Sequence, residues 1–269
     1  MNALKQLLAD NPSTELGVKK AHAFFMAHMI AGYPNMKVSE KVAKALVSGG
    51  ADIIELQIPF SDPMADGPTI AIASEDALKA GCTVQDALTL LSKVEKLGKP
   101  IAVMSYMNPI YRMGIEKFVK KIAQAGASAL IVPDCPFDSE EGELLLAAGK
   151  IHDVYIIPVV SPGVPKERLK QLAKNARLPA QAGGFVYCTS RQGITGATSK
   201  FSGDLKKFVG ELKRIFKLPV AVGFGVKSRA DVKSLSKIAD IVIAGSVFVN
   251  AVKQGSNIEK LVVQLTRKK

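Results

Sequence analysis

Three carboxylate side chains occur close together in one segment of the chain, where a strand gives way to a loop. Glu55 stands near the end of the β-prone run Ala51–Leu56, and Asp62 and Asp66 follow in a proline-rich loop. Proteins that alternate strands and helices place reacting groups at strand ends and in the loops that follow them. Two carboxylates there can act as general acid and base when their surroundings separate their pKa values. Glu55 and Asp66 are therefore candidate catalytic residues.

A purely structural role is the alternative for the same two acids. Glu55 would then form an ion pair with a neighbour, and Asp66 would form an Asx turn before Gly67 and Pro68. Burying a carboxylate at the end of an apolar strand is unfavourable, and a function usually explains such burial. The strand position of Glu55 therefore favours catalysis.

Short apolar segments alternate with longer amphipathic segments along the whole chain. The predicted strands are Ala23–Ile30, Ile53–Gln57, Ile101–Ser105, Ala129–Val132, Tyr155–Val160, Phe185–Cys188, Val220–Gly223 and Ile241–Ala244. The predicted helices between and after them are Val38–Ser48, Val84–Leu97, Ile115–Ala125, Ser139–Ala148, Lys166–Asn175, Gly203–Phe216, Arg229–Lys237 and Ile258–Thr266. Eight such units, without a GxGxxG motif after the first strand, favour a (β/α)8 barrel over a doubly wound sheet.

No linker or low-complexity segment divides the chain, and a short amphipathic helix is predicted at Met1–Asp10. We therefore expect a protein of the α/β class, a single TIM-barrel domain over residues 1–269 with an extra N-terminal helix. The glycines at 49–50, 98, 126 and 149 are predicted to end helices. Pro59, Pro109 and Pro133 are predicted to lie in loops at the C-terminal face of the barrel.

Glycine-rich segments near the end of the chain predict a phosphate site. Val222–Val226 follows the seventh predicted strand, and Ala244–Ser246 follows the eighth and opens a helix. Glycine lets backbone N–H groups approach an anion, and a helix N-terminus attracts one. Gly193–Gly196, after the sixth strand, is placed to close over the same site. Barrels frequently bind phosphate after strands seven and eight.

The composition excludes several classes of protein. The net charge is +12, but lysines are scattered along helical faces and aromatic residues make up only 6%, so nucleic-acid binding is not indicated. The basic excess suits a phosphorylated small substrate. No apolar run has the ~20 residues of a membrane helix, and no signal peptide is recognisable, so a cytoplasmic location is expected. The three cysteines and three histidines have no metal-ligand spacing, and no metal is predicted.

Taken in order, these motifs resemble those of the tryptophan synthase alpha chain family. The most specific is Glu55–Thr69, with the letters ELQIPFSDPMADGPT. The other matching motifs are Gly32–Pro34, Ser105–Pro109, Asp134, Ser190–Gly196, Gly223–Gly225 and Gly245–Ser246. They run in the family's order over nearly the whole chain. The resemblance implies a phosphate-binding barrel.

The same resemblance implies a carbon–carbon lyase that cleaves indole-3-glycerol phosphate to indole and glyceraldehyde 3-phosphate in tryptophan biosynthesis. It implies a retro-aldol reaction without an enzyme imine, and no lysine ends a predicted inner strand to form one. Glu55 would transfer the protons, and Asp66 would stabilise positive charge on the indole nitrogen. The implied substrate contacts are Tyr187, Met104 and Phe224 beside the indole, Thr195 beside Asp66, and Gly196, Gly225, Gly245 and Ser246 around the phosphate.

The family resemblance also implies a partner. A beta chain carrying pyridoxal phosphate would receive indole through a tunnel in an alpha2-beta2 heterotetramer, and this chain would carry no cofactor itself. Pro59–Asp62 and Asn108 would face that partner. Two alternatives within the family are a stand-alone lyase that releases indole and a catalytically weakened subunit that activates the beta chain. Another phosphate barrel, such as an isomerase of histidine or tryptophan synthesis, would lack the Glu55–Thr69 motif.

Two residues depart from the family's pattern. Gln57 stands where the family usually has glycine, and His28 stands where an aromatic or similar residue usually lines the indole pocket. Both bear on the shape of the pocket and on the rate, since each lies beside the predicted catalytic strand end. For His28 the favoured interpretation is a neutral core histidine with satisfied hydrogen bonds.

Overall fold

The computed structural model describes residues 2–9, 23–176, 184–189, 203–223 and 225–266. Its strands are β1 (Phe24–Ile30), β2 (Ile53–Gln57), β3 (Ile101–Met104), β4 (Ala129–Ile131), β5 (Tyr155–Ile157), β6 (Val159–Val160), β7 (Val186–Thr189), β8 (Val220–Gly223) and β9 (Ile241–Ala244). Its helices are α1 (Ala3–Ala9), α2 (Met36–Ser48), α3 (Pro68–Lys79), α4 (Val84–Glu95), α5 (Met107–Met113), α6 (Ile115–Gln124), α7 (Glu140–His152), α8 (Lys166–Ala176), α9 (Gly203–Phe216), α10 (Arg229–Leu235), α11 (Ser246–Lys253) and α12 (Ile258–Thr266).

The strands form one parallel sheet that closes into a barrel. Its order is β5-β4-β3-β2-β1-β9-β8-β7-β6, and each described pair of neighbours runs parallel. Strands β5 and β6 are two parts of one barrel strand, divided at Pro158, which has no N–H to give to a ladder. The Pro158 carbonyl accepts a 2.8 Å hydrogen bond from the Tyr187 N–H, so the seam is bonded. The predicted (β/α)8 barrel is confirmed.

The predicted elements agree with the observed ones, with three corrections. The strand ends fall within about one residue of prediction, since buried parallel strands are continuous apolar runs bounded by turn residues. Pro109 was wrongly placed in a loop, because it lies in the first turn of α5, where a proline costs no helical hydrogen bond. Pro68 likewise begins α3, a helix that the prediction left as loop.

Gly149 is the third correction, because it was predicted to end a helix and instead lies inside α7. The helix continues to His152 and ends at Asp153, whose φ is +55°. A Cβ atom on Gly149 would lie 2.6 Å from the Val154 carbonyl oxygen and 2.8 Å from Ile156 Cγ1. Glycine is therefore required here for the close approach of α7 to β5, and not for a turn.

The side chains divide into two packed layers. Alternate strand residues such as Met26, Ile53 and Ile243 fill the barrel interior, and their neighbours pack against the surrounding helices. Leu4 and Leu8 of α1 belong to the interior cluster. Asn2 fixes α1 there, because its Nδ2 donates to the Ser128 and Asp153 carbonyls at 2.9 and 2.8 Å. Both acceptors precede strands, so α1 closes the N-terminal end and leaves the opposite end as the mouth.

Candidate active site

Strand β2 carries two polar side chains into the mouth of the barrel. Ile53, Glu55 and Gln57 share one side of the strand, and Ile53 lies in the interior cluster. Glu55 and Gln57 are both 0% exposed. The predicted catalytic acid thus points into the barrel from a rigid strand, next to its C-terminal end.

His28 lies directly beside Glu55 on the neighbouring strand. The two are register partners in the β1–β2 ladder, and His28 Nδ1 lies 3.3 Å from Glu55 Oε1. Burial lowers the pKa of His28, but the carboxylates of Glu55 and Asp66 outweigh it, and the pKa is raised above its ordinary value. The prediction of a histidine with satisfied hydrogen bonds is wrong, because Nε2 has no partner among the described residues, and the raised pKa shifts the imidazole towards its charged form.

Asp66 returns from the loop to the same mouth. Gln57 Nε2 donates a 2.7 Å hydrogen bond to Asp66 Oδ2. Tyr106 steadies the loop, since its hydroxyl accepts a 3.1 Å hydrogen bond from the Ala65 N–H and its ring stacks on Phe60 with centroids 5.2 Å apart. Burial raises the pKa of Asp66, although the Gln57 hydrogen bond opposes the shift. Asp66 is thus bound to strand β2 and not merely turned back on its own loop.

Several polar atoms in this mouth are buried without a hydrogen-bond partner among the described residues: His28 Nε2, both carboxylate oxygens of Glu55 and Gln57 Oε1. The 3.3 Å approach of His28 to Glu55 is an ion-pair contact without hydrogen-bond alignment. Unsatisfied buried polar atoms are unfavourable by about 1–3 kcal/mol each. Their concentration at one place is typical of a site whose partner is a ligand.

Tyr187 and Met104 form walls of the same mouth. Met104 is buried on β3 and pairs in register with Gln57. Tyr187 is half-buried on β7, and burial together with the Glu55 and Asp66 carboxylates raises its pKa well above the ordinary value. A Cβ atom on Gly223 would lie 2.9 Å from the Tyr187 hydroxyl, so only glycine gives the phenol this position. The phenol therefore stays protonated close to both acids.

The predicted phosphate residues lie at the ends of the last two strands. Gly225 follows β8 with φ +68°, Gly245 follows β9, and Ser246 begins α11. The first N–H groups of a helix lie outside its hydrogen-bond ladder and can bind an anion. Gly245 also lies against the His28 side chain, since an added Cβ would be 3.4 Å from its Cβ, Cγ and Cδ2 atoms. Thr195, Gly196 and Phe224, and the segment 193–196, lie outside the described residues.

The rim of the mouth exposes apolar side chains. Met64 is 73% exposed, Ile72 54% and Tyr111 68%. Asn108, Ser61 and Asp62 are exposed at the same rim, where the Asp134 carboxylate accepts two hydrogen bonds from the Met107 N–H at the start of α5. These exposed apolar side chains belong to the segments that follow the neighbouring strands β2 and β3, and exposed apolar surface beside a pocket is typical of a protein interface.

Other candidate chemistries find little support in the described part of the chain. Cys82, Cys135 and Cys188 are buried free thiols, and burial raises the pKa of Cys82 to about 11 and of Cys188 to about 12. Thiols with raised pKa values are poor nucleophiles. The described residues contain no cluster of three or more histidine, cysteine or acidic side chains that could hold a metal. They include no helix long and apolar enough to cross a membrane.

Sequence reasoning missed two parts of this arrangement. Tyr106 lies within a recognised motif, but it contacts the Asp66 loop from the start of α5, 41 residues away in sequence from Ala65. The sequence marks Gln57 as a departure from the family's pattern but does not predict its hydrogen bond to Asp66. The available signal was an amide on the inward side of an apolar strand, which requires a polar partner.

Comparisons with known proteins agree with the fold and the motifs. The family model described as tryptophan synthase alpha chain matches residues 16–269. The tryptophan synthase alpha chain of Halalkalibacterium halodurans is 40% identical over 240 residues, covering 88% of this chain and 87% of its own. That of Syntrophotalea carbinolica is 38% identical over 231 residues, covering 86% and 88%.

Solved structures show the same likeness. Tryptophan synthase from M. tuberculosis, in an open form with BRD0059 bound, gives a TM-score of 0.84 at 33% identity, with 97% of this chain and 96% of that chain covered. Tryptophan synthase subunit alpha from Campylobacter jejuni gives 0.79 at 37% identity, with 91% and 96% covered. With the barrel, the acid pair at its mouth and the ordered motifs all in agreement, the chain belongs to the tryptophan synthase alpha chain family, the carbon–carbon lyases of tryptophan biosynthesis.

Proposed function

We propose that Glu55 and Asp66 carry out the cleavage of indole-3-glycerol phosphate to indole and glyceraldehyde 3-phosphate in this chain. The observation that carries the proposal is the pair of acids at the mouth, one fully buried on β2 and the other bound to β2 through Gln57. In this proposal Gly225, which follows β8, and Gly245 and Ser246, which follow β9, hold the phosphate at the same end of the barrel.

A single carrier can close the proton balance of this reaction. The glycerol hydroxyl next to the breaking bond loses a proton, and ring carbon C3 of the indole gains one. The C–C bonding electrons then return to the ring, and the former hydroxyl carbon becomes the aldehyde. Glu55 can deliver the proton to C3 and then accept the hydroxyl proton as the bond breaks, because neither of its oxygens is hydrogen-bonded to a described residue. Glu55 therefore has the same protonation state before and after each turnover.

Asp66 has a different part in the same reaction. Protonation at C3 places positive charge on the indole nitrogen, and a carboxylate facing that nitrogen stabilises the transition state more than the ground state. Gln57 holds Asp66 in place for this contact. Tyr187 and Met104 would lie against the indole ring, and Thr195, Gly196 and Phe224 remain substrate contacts in this proposal.

The matched test replaces one acid without changing its size. Glu55→Gln should lower indole release from indole-3-glycerol phosphate by about 10²–10⁴-fold, since it removes the proton carrier. Glu75→Gln is the control, because Glu75 is an exposed glutamate on α3 whose ion pair with Lys79 lies at the surface. Unchanged turnover in Glu55→Gln, with a folded protein by circular dichroism, refutes the assignment.

The family name implies a beta chain as partner, and we propose that it docks on the rim of the mouth. The exposed apolar side chains of Met64, Ile72 and Tyr111 lie there, beside Pro59–Asp62 and Asn108. In this arrangement an alpha2-beta2 tetramer forms, and the beta chain carries the pyridoxal phosphate. Tyr111→Asp should abolish the increase in indole release caused by added beta chain. Ile151→Asp, at an equally exposed position (67%) at the end of α7, should not.

A further inference from the structure

The buried pair of His28 and Glu55 gives the candidate site a feature beyond its two acids. His28 Nδ1 lies 3.3 Å from Glu55 Oε1, and both side chains are almost completely enclosed. The pairing is fixed by the backbone, because the residues face each other in the β1–β2 register. The ring's other nitrogen, Nε2, is buried without a partner among the described residues.

The other side chains around His28 leave Glu55 as its nearest charged neighbour. Asp66 acts on it from the loop after β2, at longer range. Tyr33, after β1, lines the same small cavity, and Tyr187 on β7 faces both acids. On the side towards β9 and α11, the described residues that contact His28 or line this cavity are Gly245, Phe248, Val249 and Val252, which carry no charge.

We propose that His28 is a positioning residue for Glu55: its Nδ1 holds one oxygen of the buried carboxylate and leaves the other oxygen to exchange protons with the substrate. The inference rests on the proposed role of Glu55. No described residue donates a hydrogen bond to either Glu55 oxygen, so the 3.3 Å ion-pair contact of His28 Nδ1 with Oε1 is what distinguishes the two oxygens among the described residues. A proton carrier must keep its reacting oxygen at hydrogen-bond distance from the substrate, and a small misplacement is costly in rate.

The contact itself can be tested without any enzyme assay. The chain has three histidines, His22, His28 and His152, so their imidazole ¹⁵N signals can be assigned with single variants. Proximity to Glu55 should hold the His28 midpoint above the ordinary value of about 6.5. Glu55→Gln removes the charge that outweighs burial, and the midpoint should fall below that value. A midpoint unaffected by Glu55→Gln overturns the proposal, whether or not the protein turns over substrate.

Kinetics then test whether the contact positions Glu55. His28→Phe removes the donor, whereas His28→Asn keeps an N–H donor close to the place of Nδ1 without its charge. We expect His28→Phe to lower kcat for indole release by about tenfold or more with KM within about twofold, from the loss of a contact to a charged group. His28→Asn should have a kcat within about threefold of the unsubstituted chain. Its kcat–pH profile should no longer contain a limb that comes from ionisation of His28.

A matched control and the other outcomes distinguish failure of the positioning role of His28 from failure of the proposed function. His152→Asn changes a histidine at the end of α7, outside the barrel mouth, and should leave kcat unchanged. If His28→Asn is as slow as His28→Phe although both are folded, His28 does not act by positioning. If Glu55→Gln keeps full turnover, the proposed function fails instead. The ¹⁵N titration distinguishes these cases, because it reports the His28–Glu55 contact and not the reaction.

Discussion

Replacement of Gln57 by methionine tests whether Asp66 is held in place from strand β2. Gln57 is fully buried, and its Nε2 donates a 2.7 Å hydrogen bond to Asp66 Oδ2. Methionine has a similar volume and no donor, and it adapts to irregular cores. Gln57→Met therefore removes the hydrogen bond while leaving the space filled.

The expected loss of activity follows from the strength of this bond. A hydrogen bond to a charged group contributes about 1.5–3 kcal/mol, so kcat should fall by roughly tenfold to a hundredfold if Asp66 acts in the transition state. The loss of stability should be smaller. Gln57 Oε1 is buried without a partner among the described residues, and its removal offsets part of the lost bond.

The pH dependence of kcat provides a second, independent test of the role of Gln57. Burial raises the pKa of Asp66, and the Gln57 hydrogen bond is the largest of the influences that lower it. Without Gln57 the pKa rises further. Since Asp66 acts as a carboxylate, the acid limb of the kcat profile should move to higher pH in Gln57→Met.

The measurement is kcat for indole release across the acid range, with urea unfolding of the same samples. Gln85→Met is the control, because Gln85 is exposed on α4. A Gln57→Met protein that keeps kcat within twofold, with its acid limb unshifted, refutes the claim that Gln57 positions Asp66. A large loss of stability would refute the view that Oε1 is an unsatisfied atom.

Three further predictions concern the scaffold. Leu8→Ala should cost about 2–5 kcal/mol in urea unfolding, because Leu8 is buried inside the barrel end, and more than Leu7→Ala, which is half-buried. In the same assay, Gly32→Ala should lower the free energy of unfolding more than Gly81→Ala. Both glycines have a positive φ, +80° for Gly32 and +86° for Gly81, so both substitutions strain the backbone. A Cβ on Gly32 would also lie 2.5 Å from the Cys82 Cβ, whereas a Cβ on Gly81 would meet nothing within 4 Å. The stability that His28 contributes, measured against His28→Asn at each pH, should be fully present below about pH 6.5 and should decline as the pH rises through the raised folded-state pKa.

The barrel could be predicted from the sequence because its strands obey a simple rule. Residues such as Ile53–Gln57 and Ile241–Ala244 are buried on both sides, so each strand is a short apolar run bounded by turn residues. The ends of the helices were harder to predict from the sequence. Gly149 has the composition of a helix stop, yet it is there for its contact with Ile156, a requirement that exists only after α7 has packed on β5.

The positions of Glu55, Asp66 and the late glycines at one mouth could also be predicted, since parallel strands place their C-terminal ends together. The partners of the acids could not. His28 meets Glu55 through the β1–β2 register, and Gln57 reaches Asp66 only because the loop folds back over the strand end. A contact of this kind depends on the backbone dihedral angles of the loop, which the sequence pattern does not determine.

Each buried polar side chain at the mouth is explained by the acid that it faces. A glutamine alone on the inside of β2 would bury an amide with no partner, and a histidine alone on β1 would lose its charge to burial. Each instead faces an acid: Gln57 faces Asp66, and His28 faces Glu55. The two departures from the family's pattern therefore compensate the burial of the two acids from the same side, strands β1 and β2. The ends of β9 and β8 come next in the sheet after β1, and Gly245 lies against the His28 side chain. His28 therefore stands between Glu55 and the place proposed for the phosphate, and Gln57 holds Asp66 on the other side of Glu55's strand end.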